Sequence, residues 1–245
     1  MALTFFPAID LRGGNCVRLF RGDYEQETVY GEDPVSQSKI FEDAGARWIH
    51  IVDLDAAKTG NPTNRATISS LVENLNLFVQ VGGGVRSLDD ALSLFDLGVK
   101  RVVLGTAAIE NPGLIAEIKK CGSVAVSLDC RGKMLATRGW TEESSFNIKK
   151  ALEILDLQEP DAYIYTQIEK DGTLNGPDFD GLREVLGLTK GEVIASGGVS
   201  QLSDLKALDD LKVKNNSLSG IIVGRALYEG LFDVSEAIRC LSDRE

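Results

Sequence analysis

The sequence has few of the residues that usually hold metal ions. Among 245 residues there is a single histidine, His50, and the four cysteines are scattered without a Cys-x-x-Cys pair. Zinc sites and disulfide frameworks need such residues at characteristic spacings, so we expect no metal site and reduced thiols. His50 falls inside an apolar segment, where we expect it to be packed or to stand behind a site rather than to act as a catalytic base. The cysteines are Cys16, Cys121, Cys130 and Cys240.

Positive charge and long apolar runs are also scarce. The chain carries 26 Lys and Arg against 37 Asp and Glu, a net charge of −11. Nucleic-acid binding rests on a basic surface, which this composition argues against. No apolar stretch approaches the roughly 18 residues of a membrane span, and residues 1–7 lack the basic start of a signal peptide. We expect a cytoplasmic protein that binds neither nucleic acid nor membrane, and that holds any anionic ligand through local groups.

Eight short apolar segments alternate with eight segments of helical periodicity. Strands that are apolar almost throughout are typical of a parallel sheet covered by helices. Eight βα units in a chain of this length predict an α/β fold, a single (β/α)8 TIM barrel domain over residues 1–245. The predicted strands are 3–9, 48–52, 77–81, 101–104, 124–128, 162–165, 193–195 and 219–223, and the predicted helices are 34–44, 66–74, 88–97, 112–120, 148–157, 179–186, 202–211 and 234–241.

The two halves of the sequence resemble each other. Three strand-end motifs recur in the same order, 114 to 119 positions apart. We interpret this as two repeated half-barrels related by a pseudo-two-fold axis, which places Asp10 and Asp129 on opposite sides of one mouth. The matching pairs are 8–10 with 127–129, 82–85 with 196–199, and 104–107 with 223–226.

Glycines follow four of the predicted strands. Glycine lets backbone N–H groups approach a ligand closely, and a helix that begins there adds partial positive charge, which suits a phosphate dianion. A single Gly-Gly pair is explained equally well by a tight βα turn, but four sites in a two-fold arrangement predict two phosphate cradles. The candidate binding residues are Gly83, Gly84, Gly105 and Thr106 in the first half, and Gly197, Gly198, Gly224 and Arg225 in the second.

Three aspartates stand at strand ends on the face that carries catalysis in TIM barrels. Asp10 and Asp129 end the first and fifth strands, and Asp171 follows the sixth. Between two anion cradles, opposed carboxyl groups can serve as acid and base towards a bound sugar. Asp129 could instead cap a turn or orient a neighbouring donor, and Asp171 could simply shape its Asp-Gly turn.

Four further residues are candidates for contacts with a ligand. Thr166, which the repeat aligns with Asp53, has a hydroxyl that could orient a carboxylate or bond the substrate. Trp140 lies in a long βα segment, where its ring could close over a flat heterocycle. Arg18 and Arg86 lie just after strand ends and could reach anions.

Taken together, these motifs resemble the phosphoribosylformimino-aminoimidazole carboxamide ribonucleotide isomerases of histidine biosynthesis. The likeness spans the whole chain and agrees with the half-barrel repeat, because that family is itself a half-barrel duplication. The segments that carry it are PAIDLRGG (7–14), HIVDLD (50–55), GGGVR (82–86), LD (128–129), DGTLNGP (171–177), ASGGV (195–199) and VGRA (223–226).

The resemblance implies an aldose–ketose isomerase that needs no cofactor and no metal. It carries out an Amadori rearrangement of a small bisphosphate substrate, and we expect the protein to act as a monomer. The resemblance assigns the role of base to Asp10 and the role of acid to either Asp129 or Asp171. The two phosphates would occupy the two glycine cradles, and Trp140 would stack on the aminoimidazole.

Three alternatives remain at this stage. The cyclase subunit of imidazole glycerol phosphate synthase shares the half-barrel but typically has a Cys-Leu-Asp strand end where this chain has Ala8-Ile9-Asp10. The bifunctional actinobacterial isomerase also acts on phosphoribosyl anthranilate, whose carboxylate Arg138 beside Trp140 could bind. A non-catalytic phosphate-sugar binding barrel would keep the cradles but would not need Asp10.

Overall fold

The computed structural model describes residues 3–137, 139–140 and 142–242. Its strands are β1 (Thr4–Arg12), β2 (Asn15–Phe20), β3 (Asp23–Gly31), β4 (Trp48–Asp53), β5 (Phe78–Gly82), β6 (Arg101–Leu104), β7 (Ser123–Arg131), β8 (Met134–Thr137), β9 (Glu142–Asn147), β10 (Ala162–Gln167), β11 (Val193–Ser196), β12 (Lys212–Val213) and β13 (Asn216–Val223). Its helices are α1 (Pro34–Asp43), α2 (Leu54–Thr59), α3 (Arg65–Asn74), α4 (Leu88–Asp96), α5 (Thr106–Glu110), α6 (Gly113–Lys119), α7 (Ile148–Leu155), α8 (Phe179–Leu188), α9 (Leu202–Asp209), α10 (Arg225–Tyr228) and α11 (Val234–Ser242), with a 3-10 turn at Asp156–Gln158.

A closed parallel barrel forms the centre of the molecule. Its strands follow the order β1-β4-β5-β6-β7-β10-β11-β13, and β13 pairs in parallel with β1 to complete the ring. Each coincides with a predicted strand, so the (β/α)8 fold is confirmed. The predicted helices are also present, as α1, α3, α4, α6, α7, α8, α9 and α11.

The alternation of side chains along each strand explains the two layers of core. On β1, Phe5, Ile9 and Leu11 join the large cluster between the barrel and its helices, whereas Phe6 and Ala8 belong to a smaller cluster inside the barrel. Because successive side chains point to opposite faces, Asp10 shares the inner face with Phe6 and Ala8. A carboxyl group is thereby directed into the barrel at the carboxyl end of its strand.

Two β-hairpins extend the barrel, one in each half, and the sequence did not predict them. After β1 the chain continues into the antiparallel pair β2–β3, and after β7 it continues into β8–β9. Both extensions follow the first barrel strand of a half-barrel, at the same end of the barrel. They bring Arg18 and the segment before Trp140 over the mouth.

The helices of the described residues were compared with the length of an apolar segment that a bilayer requires, about 20 residues. Within them, no helix combines the length and the apolar character that crossing a membrane requires.

Candidate active site

A cavity of about 720 Å³ opens at the carboxyl ends of the barrel strands. Its walls contain every predicted site residue except Arg138, which lies outside the described residues. The residues brought together are Asp10, Arg18, Gly83, Gly84, Arg86, Gly105, Thr106, Asp129, Trp140, Thr166, Asp171, Gly197, Gly198, Gly224 and Arg225.

Asp10 forms an ion pair with Arg18 from the first hairpin. The Nη1 of Arg18 donates to Oδ2 of Asp10 at 2.8 Å, and its Nη2 donates to the carbonyl of Ala8 at 3.0 Å. Only 14% of the Asp10 side chain is exposed. Burial raises the pKa of Asp10, while the charge and hydrogen bond of Arg18 oppose that rise. The pair gives this carboxyl group a cation that favours its ionised form.

Arg18 also reaches the second glycine cradle. Its guanidinium lies 5.6 Å from the centre of the Tyr228 ring. A Cβ built on Gly224 would lie 1.6 Å from Nη2, so the guanidinium rests directly on that glycine. The Nε of Arg18 is buried and has no hydrogen-bond partner among the described residues. Arg18 therefore connects Asp10 with the wall where a phosphate is expected.

Asp129 lies on the other side of the mouth and is surrounded by donors. The Ser127 hydroxyl donates to Oδ1 of Asp129 at 2.7 Å. The side chains of Trp140 and Thr166 also hydrogen-bond to this carboxyl group. Burial raises the pKa of Asp129, and the three donors act in the opposite sense. Thus the hydroxyl of Thr166 does orient a carboxylate, one of the two roles expected for it.

Asp171, in the turn after β10, is the third carboxyl group of the cavity, and its pKa is also raised. Burial is the main cause, and the negative charges of Asp10 and Asp129 add to it, so that the pKa of Asp171 rises from 3.8 to about 6. Arg18 and the backbone N–H of Gly172 act in the opposite direction. Three carboxyl groups thus share one cavity, and the repulsion between their charges pushes Asp171 towards its protonated form.

Trp140 covers the mouth between the two hairpins. Its backbone φ is +70°. The indole packs on the β2–β3 turn so closely that a Cβ on Gly22 would lie 2.1 Å from a ring carbon. Arg131 Nη2 donates to the Trp140 carbonyl at 3.4 Å. The ring is therefore held within reach of Asp129, over the space where a ligand would lie.

In the first cradle, packing as well as ligand approach explains the glycines. Gly83 has a φ of +92°, and a Cβ there would lie 2.2 Å from the carbonyl oxygen of Asp53. Gly84 has a φ of +73°, and its Cβ would lie 2.6 Å from that of Ala56. Both glycines let the β5 turn press against the start of α2. Gly105 differs, since a Cβ there would meet no atom within 4 Å.

The second cradle repeats this arrangement. Gly197 and Gly198 have φ values of +86° and +84°, and a Cβ on Gly198 would lie 2.3 Å from the carbonyl oxygen of Gly176. The Arg225 guanidinium donates to the Gly172 carbonyl, and its Nε lies 3.2 Å from Glu229. Because its side chain is engaged in these contacts, Arg225 can contribute its backbone N–H, at the start of α10, to the cradle.

The Arg86 side chain is turned towards α2. Its Nη2 donates to the carbonyl of Ala57 at 3.2 Å, near the C-terminal end of that helix. Arg86 also lines the cavity. It therefore joins the β5 turn to the α2 segment at the edge of the first cradle.

The alignment of Thr166 with Asp53 was wrong by one position. Thr166 pairs with Asp129 between β10 and β7, as Val52 pairs with Asp10 between β4 and β1. The true counterpart of Thr166 is therefore Val52. Asp53 has a different task, since its Oδ1 accepts from the Ala56 N–H at 3.0 Å and caps α2.

His50 is packed inside the barrel, as expected, and the sequence analysis did not single out the two polar residues beneath it. His50 lines the floor of the cavity although it is only 8% exposed. Gln80 and Arg101 lie below it in the barrel, where Gln80 hydrogen-bonds to both His50 and Arg101. The sequence signal that could have identified Gln80 and Arg101 is the presence of polar residues inside otherwise apolar strands. Within the described ranges, no group of three or more His, Cys, Asp or Glu side chains is arranged to hold a metal ion.

Comparisons with known proteins agree on one family. The family described as histidine biosynthesis protein matches residues 4–233. A relative from Prochlorococcus marinus is 45% identical over 98% of this chain and 94% of its own length. Relatives from Synechocystis sp. and Paracoccus denitrificans are 44% and 42% identical, each over 98% of this chain, and cover 94% and 100% of their own lengths. All three are named 1-(5-phosphoribosyl)-5-((5-phosphoribosylamino)methylideneamino) imidazole-4-carboxamide isomerase.

Proposed function

The chain belongs to the histidine biosynthesis protein family, and we propose that its cavity performs the isomerisation named for the relatives by acid–base chemistry on its aspartates. The chain is an aldose–ketose isomerase of histidine biosynthesis with a small-molecule substrate. The reaction converts an N-linked phosphoribosyl aminoaldose into the phosphoribulosyl aminoketose. The observation that carries the mechanism is the presence of three buried carboxyl groups, each in a different environment, between two glycine cradles.

The rearrangement needs one acid and one base. The acid protonates the ring oxygen as the bond from C1 to that oxygen breaks, and the lone pair of the nitrogen on C1 forms the C=N bond of a protonated Schiff base. The base then removes the C2 proton, and the electron pair of the C–H bond moves through C1 to the imine nitrogen to give an enolamine. Loss of the C2 hydroxyl proton and protonation at C1 complete the ketone. Every step is a proton transfer, so positioned carboxyl groups suffice.

Asp10 is the base in this proposal. Arg18 stabilises its ionised form at 2.8 Å, and a base must be ionised before it can accept the C2 proton. Its position at the carboxyl end of β1 agrees with the role that the family resemblance assigns to it.

Asp171 is the acid in this proposal. With a pKa raised to about 6, Asp171 keeps a protonated fraction near neutral pH that an ordinary aspartate lacks. Burial raises the pKa of Asp129 as well, but the hydrogen bonds from three side chains oppose that rise, which suits a group that orients Trp140 and the substrate. This assignment takes Asp171 over Asp129 for the acid.

The two phosphates lie in the two cradles. Backbone N–H groups of the glycine turns at Gly83–Gly84 with Gly105, and at Gly197–Gly198 with Gly224, supply the donors. The unpartnered Nε of Arg18 adds a buried charged donor beside the second cradle. These local groups hold a bisphosphate in spite of the net charge of −11.

The remaining parts of the proposal concern the setting of the enzyme. We take residues 1–245 as one barrel domain that works in the cytoplasm as a monomer, without a cofactor and without nucleic acid. The acidic composition supports the last point. No second substrate is proposed, because the relatives are named for one reaction and Arg138 lies outside the described residues.

The proposal is tested by a steady-state assay with the aminoaldose named for the relatives. We expect the wild-type protein to turn it over, and Asp10→Asn to lower kcat by at least about 10²-fold with KM nearly unchanged. Asp89→Asn, at an exposed position on α4 outside the cavity, is the matched control and should leave both constants unchanged. Absence of wild-type turnover, or an unchanged kcat in Asp10→Asn, would contradict it.

A further inference from the structure

Four residues form one layer across four neighbouring barrel strands. Ala8 pairs with His50, His50 pairs with Gln80, and Gln80 pairs with Arg101 in the register of β1, β4, β5 and β6. Polar side chains are costly inside a barrel unless each is hydrogen-bonded. Here His50, Gln80 and Arg101 satisfy one another and form a polar chain below the cavity floor.

The hydrogen bonds of this chain have a fixed direction. Arg101 donates to Oε1 of Gln80 twice, from Nε at 2.9 Å and from Nη2 at 2.6 Å. A guanidinium has no acceptor, so the side of the Gln80 amide that faces it must be the carbonyl oxygen. The amide nitrogen then faces His50, with 2.9 Å between Nε2 of Gln80 and Nδ1 of His50.

This direction determines the tautomer of His50. An amide nitrogen only donates, so Nδ1 of His50 must be the acceptor and carries no proton. A neutral imidazole with an unprotonated Nδ1 carries its proton on Nε2. Since Gln80 occupies Nδ1, Nε2 is the ring nitrogen that this hydrogen bond leaves available, and it carries an N–H group.

His50 stays neutral in this setting. Burial and the positive charges of Arg18 and Arg101 lower the pKa of His50 to about 3. Arg18 and Arg101 are both cations, and they oppose a third positive charge on His50. A neutral imidazole N–H is a very weak acid, so it donates a hydrogen bond without giving up its proton.

We propose that His50 donates a hydrogen bond through Nε2 to the C2 oxygen of the sugar, and that Gln80 and Arg101 are positioning residues that hold the required tautomer. The inference rests on the proposed isomerase function, because it assigns a partner to one oxygen of that reaction. Val52 pairs with Asp10, so His50 lies two residues below that level on the neighbouring strand.

The chemistry of the C2 oxygen fits such a donor. The ring oxygen must gain a proton, which is a task for an acid. The C2 oxygen instead begins as a hydroxyl and ends as a carbonyl, so negative charge develops on it as its proton leaves. A fixed neutral donor stabilises that charge and the ketone, and does not compete for the proton.

Arg101 is itself held firmly. Its guanidinium lies 4.8 Å from the centre of the Trp48 ring and 5.6 Å from that of Phe6, and the residue is 6% exposed. Gln80 is fully buried. Neither residue lines the cavity in the described part of the chain. A change at either position can therefore reach the bound sugar through His50.

The first experiment reads the tautomer directly. His50 is the sole histidine, so protein labelled with ¹⁵N-histidine gives NMR signals from one imidazole. We expect a pyridine-type Nδ1 and a protonated Nε2 in the wild type. In Gln80→Glu, of nearly the same shape, a carboxylate accepts from both Arg101 and His50, and Nδ1 should become protonated. A protonated Nδ1 in the wild type would overturn the inference, and this measurement needs no variant to fold.

The second experiment connects the tautomer to turnover. Gln80→Glu should lower kcat by about 10²-fold, the loss typical of one donor to a developing oxyanion, with little change in KM. Gln37→Glu on α1 outside the cavity introduces the same charge and should leave kcat unchanged. A switched tautomer with wild-type kcat would overturn the inference.

A pair of Arg101 variants provides the rescue. Arg101→Lys keeps a donor for Oε1 of Gln80 and should retain the tautomer and most of kcat. Arg101→Met removes the donor, so the Gln80 amide can rotate by 180°. This variant should show a mixture of the two His50 tautomers and a lower kcat. Equal kcat in the two folded variants would contradict the proposal that Arg101 acts on the substrate through Gln80 and His50. Failure of the isomerase function itself is distinguishable, because it appears as absent turnover in the wild type while the tautomer remains measurable.

Discussion

At the scale of single residues, three aspartates acquire different properties from their neighbours. Asp10 has a guanidinium at 2.8 Å, and Asp129 has three side-chain donors. Asp171 has mainly burial and two like charges, which raise its pKa to about 6. Burial raises the pKa of all three, and the proposed division into base, orienting group and acid rests on how their partners differ, since the side chains are chemically identical.

The acidity of Asp171 predicts a pH dependence. Its pKa is raised, so the acid form is present below about pH 6 and is lost above it, and kcat/KM should decline as the pH rises through that value. Asp171→Asn should lower kcat by at least about 10²-fold, and the kcat/KM of its residual activity should no longer decline as the pH rises through about 6. Steady-state pH profiles of both proteins provide the measurement. If the decline near pH 6 persisted in Asp171→Asn, a residue other than Asp171 would be the acid.

Trp140 hydrogen-bonds to Asp129, and we expect its ring also to stack on the bound substrate. Trp140→Ala removes both and should raise KM by about 2- to 10-fold, which corresponds to the 0.5–1.5 kcal/mol of an aromatic pair. Trp140→Phe keeps the ring and should leave KM close to the wild-type value. Both variants share the backbone φ of +70°, so they differ only in the side chain. Equal KM values for the two would exclude stacking as the contribution to binding.

At the scale of elements, the site is assembled by βα turns and two hairpins. The β2–β3 hairpin supplies Arg18, and its turn at Gly22 supports the ring of Trp140. Both short helices α5 and α10 begin at cradle glycines, Gly105 and Gly224. The rigid barrel therefore holds the floor and the carboxyl groups, while the connections form the walls.

The first cradle can be tested at Gly105, where a methyl group fits the unliganded site. Gly105→Ala should raise KM by about 10- to 100-fold, the loss expected for one hydrogen bond to a charged group, with a smaller effect on kcat. Gly31→Ala is the matched control, because a Cβ there also meets nothing within 4 Å and Gly31 lies outside the cavity. Gly83 is a poorer choice, since its Cβ would collide with Asp53. Unchanged KM in Gly105→Ala would contradict the cradle.

At the scale of the whole molecule, concentrating carboxyl groups in one mouth lowers stability. A group whose pKa is higher in the folded than in the unfolded protein stabilises the fold only where it is protonated. For Asp171 that contribution is complete below the unfolded value near 3.8 and is lost as the pH rises through about 6. Above about pH 6, Asp171 is ionised in the folded protein, and the burial of its charge lowers the free energy of unfolding by the full amount.

This cost predicts that an inactive variant is the more stable protein. Asp171→Asn removes the charge and should increase the free energy of unfolding by roughly 3 kcal/mol at about pH 8, and by much less at about pH 4. Urea unfolding at the two pH values measures the difference. Asp89→Asn should show no such pH-dependent gain. A gain of the same size at both pH values would point to packing instead of charge.

Much of the architecture followed from local pattern. The eight barrel strands and eight long helices were predicted because apolar runs and helical periodicity are properties of short segments. The hairpins were missed because β3 is largely exposed and has no apolar run, and α5 and α10 were missed because helices of five and four residues are too short for a period. The half-barrel repeat and the strand-end positions of Asp10, Asp129 and Asp171 were also readable directly.

Contacts between distant segments depended on closure of the barrel. Register is sensitive to a shift of one residue, and the misplaced partner of Thr166 shows that a repeat alignment does not resolve it. The ion pair of Arg18 with Asp10, the bond of Trp140 to Asp129 and the chain from Arg101 through Gln80 to His50 all join separate elements. Side-chain periodicity is local and can be read along the chain, whereas pairing, burial and pKa arise from atoms that only the folded barrel brings together.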